Sequence, residues 1–336
     1  MWSRWRLSLL FSPKVLATLS VKVFRPAPIR KSRFCGNKST PFIFFIPLFF
    51  LTSSLFWFES PPTCAQEIKT DEHPLEIAAT IHPVADIMRQ IGGELVHVTT
   101  LISQGANPHT FEFAPDVIKK VEHAQLIFRI GFGYDDWLEG VYDFAPAAKI
   151  ITAGEGVEFI KTGTVDPHYW LSVSNARTIA QNVAAHLVQI DSKHQTEYEN
   201  RLKQYLEILN QLDLELHAQL DSFKGNRMVT IHDAFRYFAR DYGLTILDSL
   251  EPSHGGELSP NHLANLSKSV KQAEIDALFT QRNFLPQSAA TFAQDLNLKM
   301  YELDELGGGE GRESFVELLR YNASVIKKAL NESMKN

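Results

Sequence analysis

A run of leucines in the middle of the chain limits what this sequence can fold into. Between about His194 and Phe223, leucine recurs every three or four residues, and neither Gly nor Pro interrupts the run. The leucines that carry this spacing are Leu202, Leu206, Leu209, Leu212, Leu216 and Leu220. The spacing predicts one long amphipathic helix. Since the run covers only about four heptads, we interpret it as a rigid connector between two lobes rather than a coiled-coil arm.

Short apolar segments alternate with helical patterns on both sides of this helix. The strands predicted before it lie at 76–80, 96–101, 126–130 and 149–152, with helices at 83–91 and 114–121. The strands predicted after it lie at 228–231, 244–247, 277–280 and 299–301, with a closing helix at 313–333. This alternation predicts an α/β protein of two lobes, each a small parallel sheet wrapped by helices. The predicted boundaries are 66–193 for the first lobe, 194–223 for the connecting helix and 224–336 for the second lobe.

The first 65 residues differ in composition from the rest. Residues 1–40 contain nine Lys or Arg and no Asp or Glu, and the segment 41–58 that follows is almost wholly apolar. Small residues at Thr63 and Ala65 complete the three-part pattern of a secretory signal, so we expect cleavage after Ala65 and a periplasmic protein. The alternative is a membrane anchor, but about eighteen apolar residues interrupted by Pro47 are marginal for a span.

Net charge and cysteine positions exclude some kinds of partner and of metal ligand. The whole chain has 33 Lys and Arg and 39 Asp and Glu. Without the nine basic residues and Glu59 of the first 65 positions, the exported part has 24 basic and 38 acidic residues, a net charge of −14. A nucleic-acid partner is therefore excluded. Both cysteines, Cys35 and Cys64, precede the predicted body, so any metal site there must use histidines and carboxylates. A lipid anchor at Cys64 is not expected, because Pro61, Pro62 and Thr63 lack the apolar character of a lipoprotein signal.

Three of the twelve histidines lie in unusual settings. His109 and His232 each come just after a predicted strand, and His168 lies in the motif DPHYWL. Ligands of α/β proteins gather beyond the carboxyl ends of parallel strands. Asp304 follows the last strand of the second lobe and is the predicted carboxylate partner. Three imidazoles and one carboxylate form a donor set that suits Zn²⁺.

Neighbouring residues leave alternatives open. Glu302 and Glu305 lie next to Asp304, and either could be the nearer carboxylate. His82 follows the first predicted strand and His254 lies in a Gly-rich loop. We expect these two histidines to face solvent or to lie behind the metal ligands.

The order of several motifs resembles one family, the ZnuA/TroA-like metal-binding proteins of bacterial ABC importers. The resemblance is carried by 83–138, DPHYWL at 166–171, HDAFRYFARDYGL at 232–244, GGELSP at 255–260 and YELDELGG at 301–308. It implies two α/β lobes, one rigid connecting helix and a metal held between the lobes. It implies further that His109 and His168 bind the metal from the first lobe, and His232 and Asp304 from the second.

The function implied by this resemblance is transport, with the metal as cargo and no bond made or broken. The chain is expected to be a monomer that delivers zinc to an inner-membrane permease coupled to a cytoplasmic ATPase. Manganese-type members place a glutamate where this chain has His232, which favours zinc, although manganese, nickel, copper and iron stay open. A zinc hydrolase is disfavoured, because the sequence has no HExxH motif and the fourth ligand closes the site. A metal-dependent adhesin is a third possibility.

Overall fold

A computed structural model describes most of the chain after the predicted signal. The described residues are 73–108, 111, 115–141, 143–251, 259–282 and 287–333. They all fall within one compact unit. The predicted signal, His109 and His254 lie outside these residues. None of the helices in the described ranges has the length and apolar character that a membrane span requires.

The first lobe is built on a four-stranded parallel sheet. Its elements are β1 Leu75–Ala79, α1 His82–Gly92, β2 Val96–Thr100, α2 Pro115–Val121, β3 Leu126–Arg129 and β4 Lys149–Thr152. The strand order is β2-β1-β3-β4, and every neighbouring pair is parallel. Ile77, Ala78 and Ala79 of β1 are all buried, which is typical of a parallel strand covered on both faces.

Two long helices and a hairpin connect the sheets. The hairpin consists of β5 Lys161–Thr162 and β6 Thr164–Val165, and the helices are α3 Val173–Ile190 and α4 Gln195–Leu220. Ser172 caps α3, because its side chain accepts a hydrogen bond from the Asn175 N–H. The long helix predicted from the leucine spacing is thus present as α4, whereas α3 was not predicted.

The second lobe repeats the architecture of the first. Its elements are β7 Arg227–His232, α5 Arg236–Asp241, β8 Thr245–Glu251, α6 Pro260–Gln272, β9 Ala277–Gln281, α7 Gln287–Asp295, β10 Lys299–Leu303 and α8 Phe315–Ser333. The strand order is β10-β9-β7-β8, again with parallel neighbours. The predicted fold class, two parallel sheets wrapped by helices, is confirmed. The predicted domain boundaries stay predictions.

Helix α4 buries one face against both lobes. Leu209, Leu212, Leu216 and Leu220 are fully buried, whereas Leu214 on the opposite face is 66% exposed. The helix packs against α1 and α3 and also against α8 of the second lobe. As a result, the largest hydrophobic core runs without a break from β1 through α4 to β10. Each lobe also has a small core of its own, but the main core is shared.

Buried hydrogen bonds join the same two lobes. The Phe315 N–H at the start of α8 donates to Asp86 of α1 at 2.9 Å. The Tyr237 hydroxyl of α5 donates to the Asp166 carbonyl at 2.8 Å. Because these bonds and the shared core must break for the lobes to separate, wide opening is costly.

Leu212→Ala and Leu214→Ala provide a matched pair for this packing. We expect Leu212→Ala to lower the free energy of unfolding by about 2–5 kcal/mol, because it leaves a cavity in the shared core. Leu214→Ala is expected to change it by less than about 0.5 kcal/mol. Urea unfolding followed by circular dichroism measures both values. Equal losses in the two variants would contradict the assigned face of α4.

Candidate metal centre

Two buried histidines from opposite lobes face each other. His168 lies just before the short 3-10 turn Tyr169–Leu171, and His232 is the last residue of β7. His168 is 0% exposed and His232 is 6% exposed. Their Nε2 atoms lie 3.1 Å apart, and the rings meet nearly edge to face at 80°. His232 thus lies at the carboxyl end of a parallel strand, as the sequence predicts.

Glu305 completes a group of three possible metal ligands. One donor atom from each of His168, His232 and Glu305 lies within 4.8 Å of the other two, and no other group of this kind occurs in the described ranges. The Glu305 Oε2 atom is buried and has no hydrogen-bond partner among the described residues. Buried carboxylate oxygens normally have partners, so an unsatisfied one here points towards a cation.

The spacing of the histidine nitrogens fits a small divalent ion. Donors that hold a tetrahedral Zn²⁺ at about 2.0–2.2 Å lie about 3.3–3.6 Å from each other. The 3.1 Å between the two Nε2 atoms is close to this range. The pair therefore needs little rearrangement to share one ion.

Asp166 sets the orientation of His168. Its Oδ1 lies 2.9 Å from the His168 ring atom Nδ1 and also accepts the His168 backbone N–H at 2.9 Å. An ionised carboxylate only accepts hydrogen bonds, so Nδ1 carries the proton and the lone pair lies on Nε2. This carboxylate–histidine arrangement is the usual support of a metal-binding imidazole.

Aromatic rings cover the histidine pair on the first-lobe side. The Tyr134 ring meets the His168 ring edge-on at 5.8 Å between centroids, and the Trp170 ring lies 5.3 Å from it. Tyr134 and Trp170 are almost fully buried. These rings exclude water, which strengthens electrostatic interactions within the site.

Burial changes the acidity of Glu305. Desolvation, with a further contribution from the negative charge of Asp304, raises the pKa of Glu305 to about 8, although a hydrogen bond with Gln281 opposes the change. The carboxyl group is therefore mostly protonated at pH 7 without a cation. A metal ion that binds Glu305 must displace this proton.

The predicted carboxylate ligand, Asp304, makes other contacts in the structure, and its role as a ligand stays a prediction. Its Oδ1 accepts the N–H groups of Leu306 and Gly307, each at 2.9 Å, and its Oδ2 lies 3.2 Å from the Arg312 Nε. Asp304 thus shapes the turn after β10 and neutralises Arg312, while Glu305, left open as an alternative, enters the histidine group. The Gly-rich run after Asp304 was the available signal, since Asp commonly accepts backbone N–H groups in such turns.

The other candidate residues lie elsewhere or outside the described ranges. His82 Nε2 is 2.9 Å from the Glu313 carbonyl, which makes it a donor to the backbone rather than a member of the group. Glu302 is exposed on β10. The positions of His109 and His254 are not among those described, so the role of His109 stays a prediction.

The family comparison decides the class of protein. The family described as "Zinc-uptake complex component A periplasmic", ZnuA, matches residues 77–329. The chain belongs to the ZnuA family. ZnuA-family proteins are substrate-binding proteins of ABC transporters and not enzymes, and this chain is therefore a metal-binding, extracytoplasmic importer subunit.

Two curated relatives cover most of the chain. The manganese ABC transporter substrate-binding lipoprotein PsaA of Streptococcus anginosus is 27% identical, over 78% of this chain and 91% of its own length. The metal ABC transporter substrate-binding lipoprotein ScbA of Streptococcus cristatus is 27% identical, over 84% of this chain and 98% of its own. Both names contain "lipoprotein", which contradicts the expectation that a lipid anchor is unlikely.

Solved structures agree with the fold. A crystal structure of ZnuA has a TM-score of 0.70 and 27% identity, over 76% of this chain and 99% of its own. The protein FpvC of Pseudomonas aeruginosa in complex with Mn²⁺ has a TM-score of 0.71 and 26% identity, over 78% of this chain and all of its own. FpvC has also been solved with Ni²⁺. The metal therefore varies among the proteins that this ZnuA-family chain resembles.

Asp304→Asn tests the structural role of Asp304. We expect it to lower the free energy of unfolding by about 3–5 kcal/mol, because it leaves the buried Arg312 charge unpaired. The control is Glu215→Gln, which breaks the exposed pair with Arg320 at 2.8 Å and is expected to cost about 0–1 kcal/mol. Urea unfolding compares the variants. An Asp304→Asn protein as stable as the control would refute this role.

Proposed function

We propose that this chain captures zinc between its two lobes and delivers it to an inner-membrane permease coupled to a cytoplasmic ATPase. The observation that carries the proposal is the meeting of His168 from the first lobe with His232 and Glu305 from the second. We propose His109 as the fourth ligand, on the resemblance of its motif to the family. The metal is cargo, and the protein acts as a monomer in the periplasm.

The donor set supports zinc over manganese. Three imidazole nitrogens and one carboxylate suit Zn²⁺, whereas Mn²⁺ prefers oxygen ligands. Manganese is the alternative cargo, supported by the name of the streptococcal relative PsaA and by the Mn²⁺ complex of FpvC. The two proposals differ in which metal the protein retains when Zn²⁺ and Mn²⁺ compete for the site.

The shared core supports release by small movements. The lobes are joined by a continuous core and by the buried bonds of Asp86 and Tyr237. We therefore propose that docking on the permease tilts loops at the site rather than opening the lobes about a wide hinge.

Metal analysis of the exported protein tests the cargo. We expect one zinc per chain in the wild type, retained in competition with Mn²⁺, and an affinity lowered by more than about a hundredfold in His232→Ala and Glu305→Gln, because each loses a ligand. The control is His97→Ala, since His97 is exposed and pairs with Glu76 at 2.6 Å. Retention of manganese in place of zinc would favour the alternative cargo. A wild type without metal would refute the transport proposal.

Proton release tests the raised pKa of Glu305. Because that pKa is about 8, the group binds a proton at pH 7 that the metal must displace, so affinity should rise with pH up to about 8. Titration calorimetry at pH 7 in buffers of different ionisation enthalpy counts the protons released. We expect roughly one more proton from the wild type than from Glu305→Gln. Equal release from both would contradict a protonated Glu305.

A further inference from the structure

One hydrogen bond joins the two segments that bring metal ligands from opposite lobes. The Trp170 indole Nε1–H donates to the backbone carbonyl of Glu305 at 2.8 Å. Trp170 lies two residues after His168 in the first lobe, and Glu305 follows β10 in the second. The segment that carries His168 is thus tied directly to the residue whose carboxylate faces the histidine pair.

The peptide unit between Glu305 and Leu306 is held at both ends. Its carbonyl accepts the Trp170 indole proton at 2.8 Å, and its N–H donates to Asp304 Oδ1 at 2.9 Å. Because a peptide unit is planar, fixing both groups fixes the orientation of the plane. That orientation limits the backbone dihedral at Glu305, and with it the direction in which the side chain leaves the main chain.

Trp170 is itself fixed in place. Its ring is fully buried and lies 5.0 Å from the Tyr134 ring and 5.3 Å from the His168 ring. The indole has a single N–H and no acceptor, so its hydrogen bond has one direction. The donor therefore cannot follow Glu305 if the turn after β10 moves.

We propose that Trp170 is a positioning residue for metal capture, which holds the Glu305 main chain so that its carboxylate meets His168 and His232. This inference rests on the proposed function. The hydrogen bond orders the carboxylate before the metal arrives, and preorganised ligands bind more tightly because less ordering is left to complete. When the turn after β10 moves away, the same bond breaks as the carboxylate leaves the histidines.

The test is the rate at which zinc leaves the loaded protein into excess chelator, measured by stopped flow. Trp170→Phe keeps an aromatic ring but loses the N–H, and we expect release about three- to tenfold faster. The matched control is Trp137→Phe, because the Trp137 Nε1 has no hydrogen-bond partner among the described residues. Its release rate is expected to stay at the wild-type value.

Repeating both rates in a Glu305→Ala background separates positioning from general packing. If Trp170 acts through Glu305, Trp170→Phe has no further effect there, because coupled residues are not additive. The same acceleration in both backgrounds, or none in either, would overturn the inference. A wild type that binds no zinc would instead refute the proposed function, and the role of Trp170 with it.

Hydrogen exchange keeps the inference testable if Trp170→Phe does not fold. In the folded metal-free protein, the Trp170 indole proton should exchange with solvent more slowly than the Trp137 indole proton, because it is hydrogen-bonded to Glu305 whereas the Trp137 Nε1 has no partner among the described residues. Variants Trp137→Phe and Glu305→Ala assign the signals and leave the Trp170 bond in place. Equal exchange of the two indole protons would show that the bond to Glu305 is not made.

Discussion

The hydrophobic core shared by the two lobes is the constraint on which the metal centre depends. Helix α4 supplies Leu209, Leu212, Leu216 and Leu220 to a core that reaches from β1 to β10. Each buried leucine contributes about 1.5–3 kcal/mol relative to an exposed one, so several together set the relative orientation of the sheets. His168 and His232 therefore meet because apolar surfaces are buried, and the frame of the site does not need the metal to form.

Glu305 is a poorly stabilised polar group of the site. Glu305 Oε2 has no partner among the described residues, and burial raises the pKa of this carboxyl group to about 8. A buried polar group without a partner costs about 1–3 kcal/mol. Asp304 avoids this cost through Arg312 and two backbone N–H groups. The two adjacent carboxylates thus differ in their contacts, since Asp304 holds the turn and Glu305 Oε2 has no partner among the described residues.

Sequence patterns predicted the sheets and the connecting helix more completely than the metal centre. Strand alternation and leucine spacing identified both sheets and α4, because those signals arise from local periodicity. Helix α3 was missed, although Ile179, Val183 and Leu187 repeat every four residues after the Ser172 cap. The Gly-rich run after Asp304 was a signal that this residue accepts backbone N–H groups, but it did not indicate the second contact of Asp304, with Arg312. That Glu305 lies beside the histidines depends on how this turn packs against the first lobe, and no local pattern in the sequence encodes that packing.

The turn after β10 is the part of the site that can move with the least damage to the core. Gly307 and Gly308 have φ values of 66° and 79°, a region that residues with a Cβ rarely occupy. A Cβ on Gly308 would also lie 3.3 Å from the His82 ring, so the close approach of this turn to the first lobe requires glycine. The turn adds only the partly buried Leu306 to the shared core, and the hydrogen bond from Trp170 to Glu305 joins it to the first lobe. Displacing it moves the Glu305 carboxylate away from the histidines while Leu209, Leu212, Leu216 and Leu220 stay buried, which makes a local change at this turn less costly than separation of the lobes.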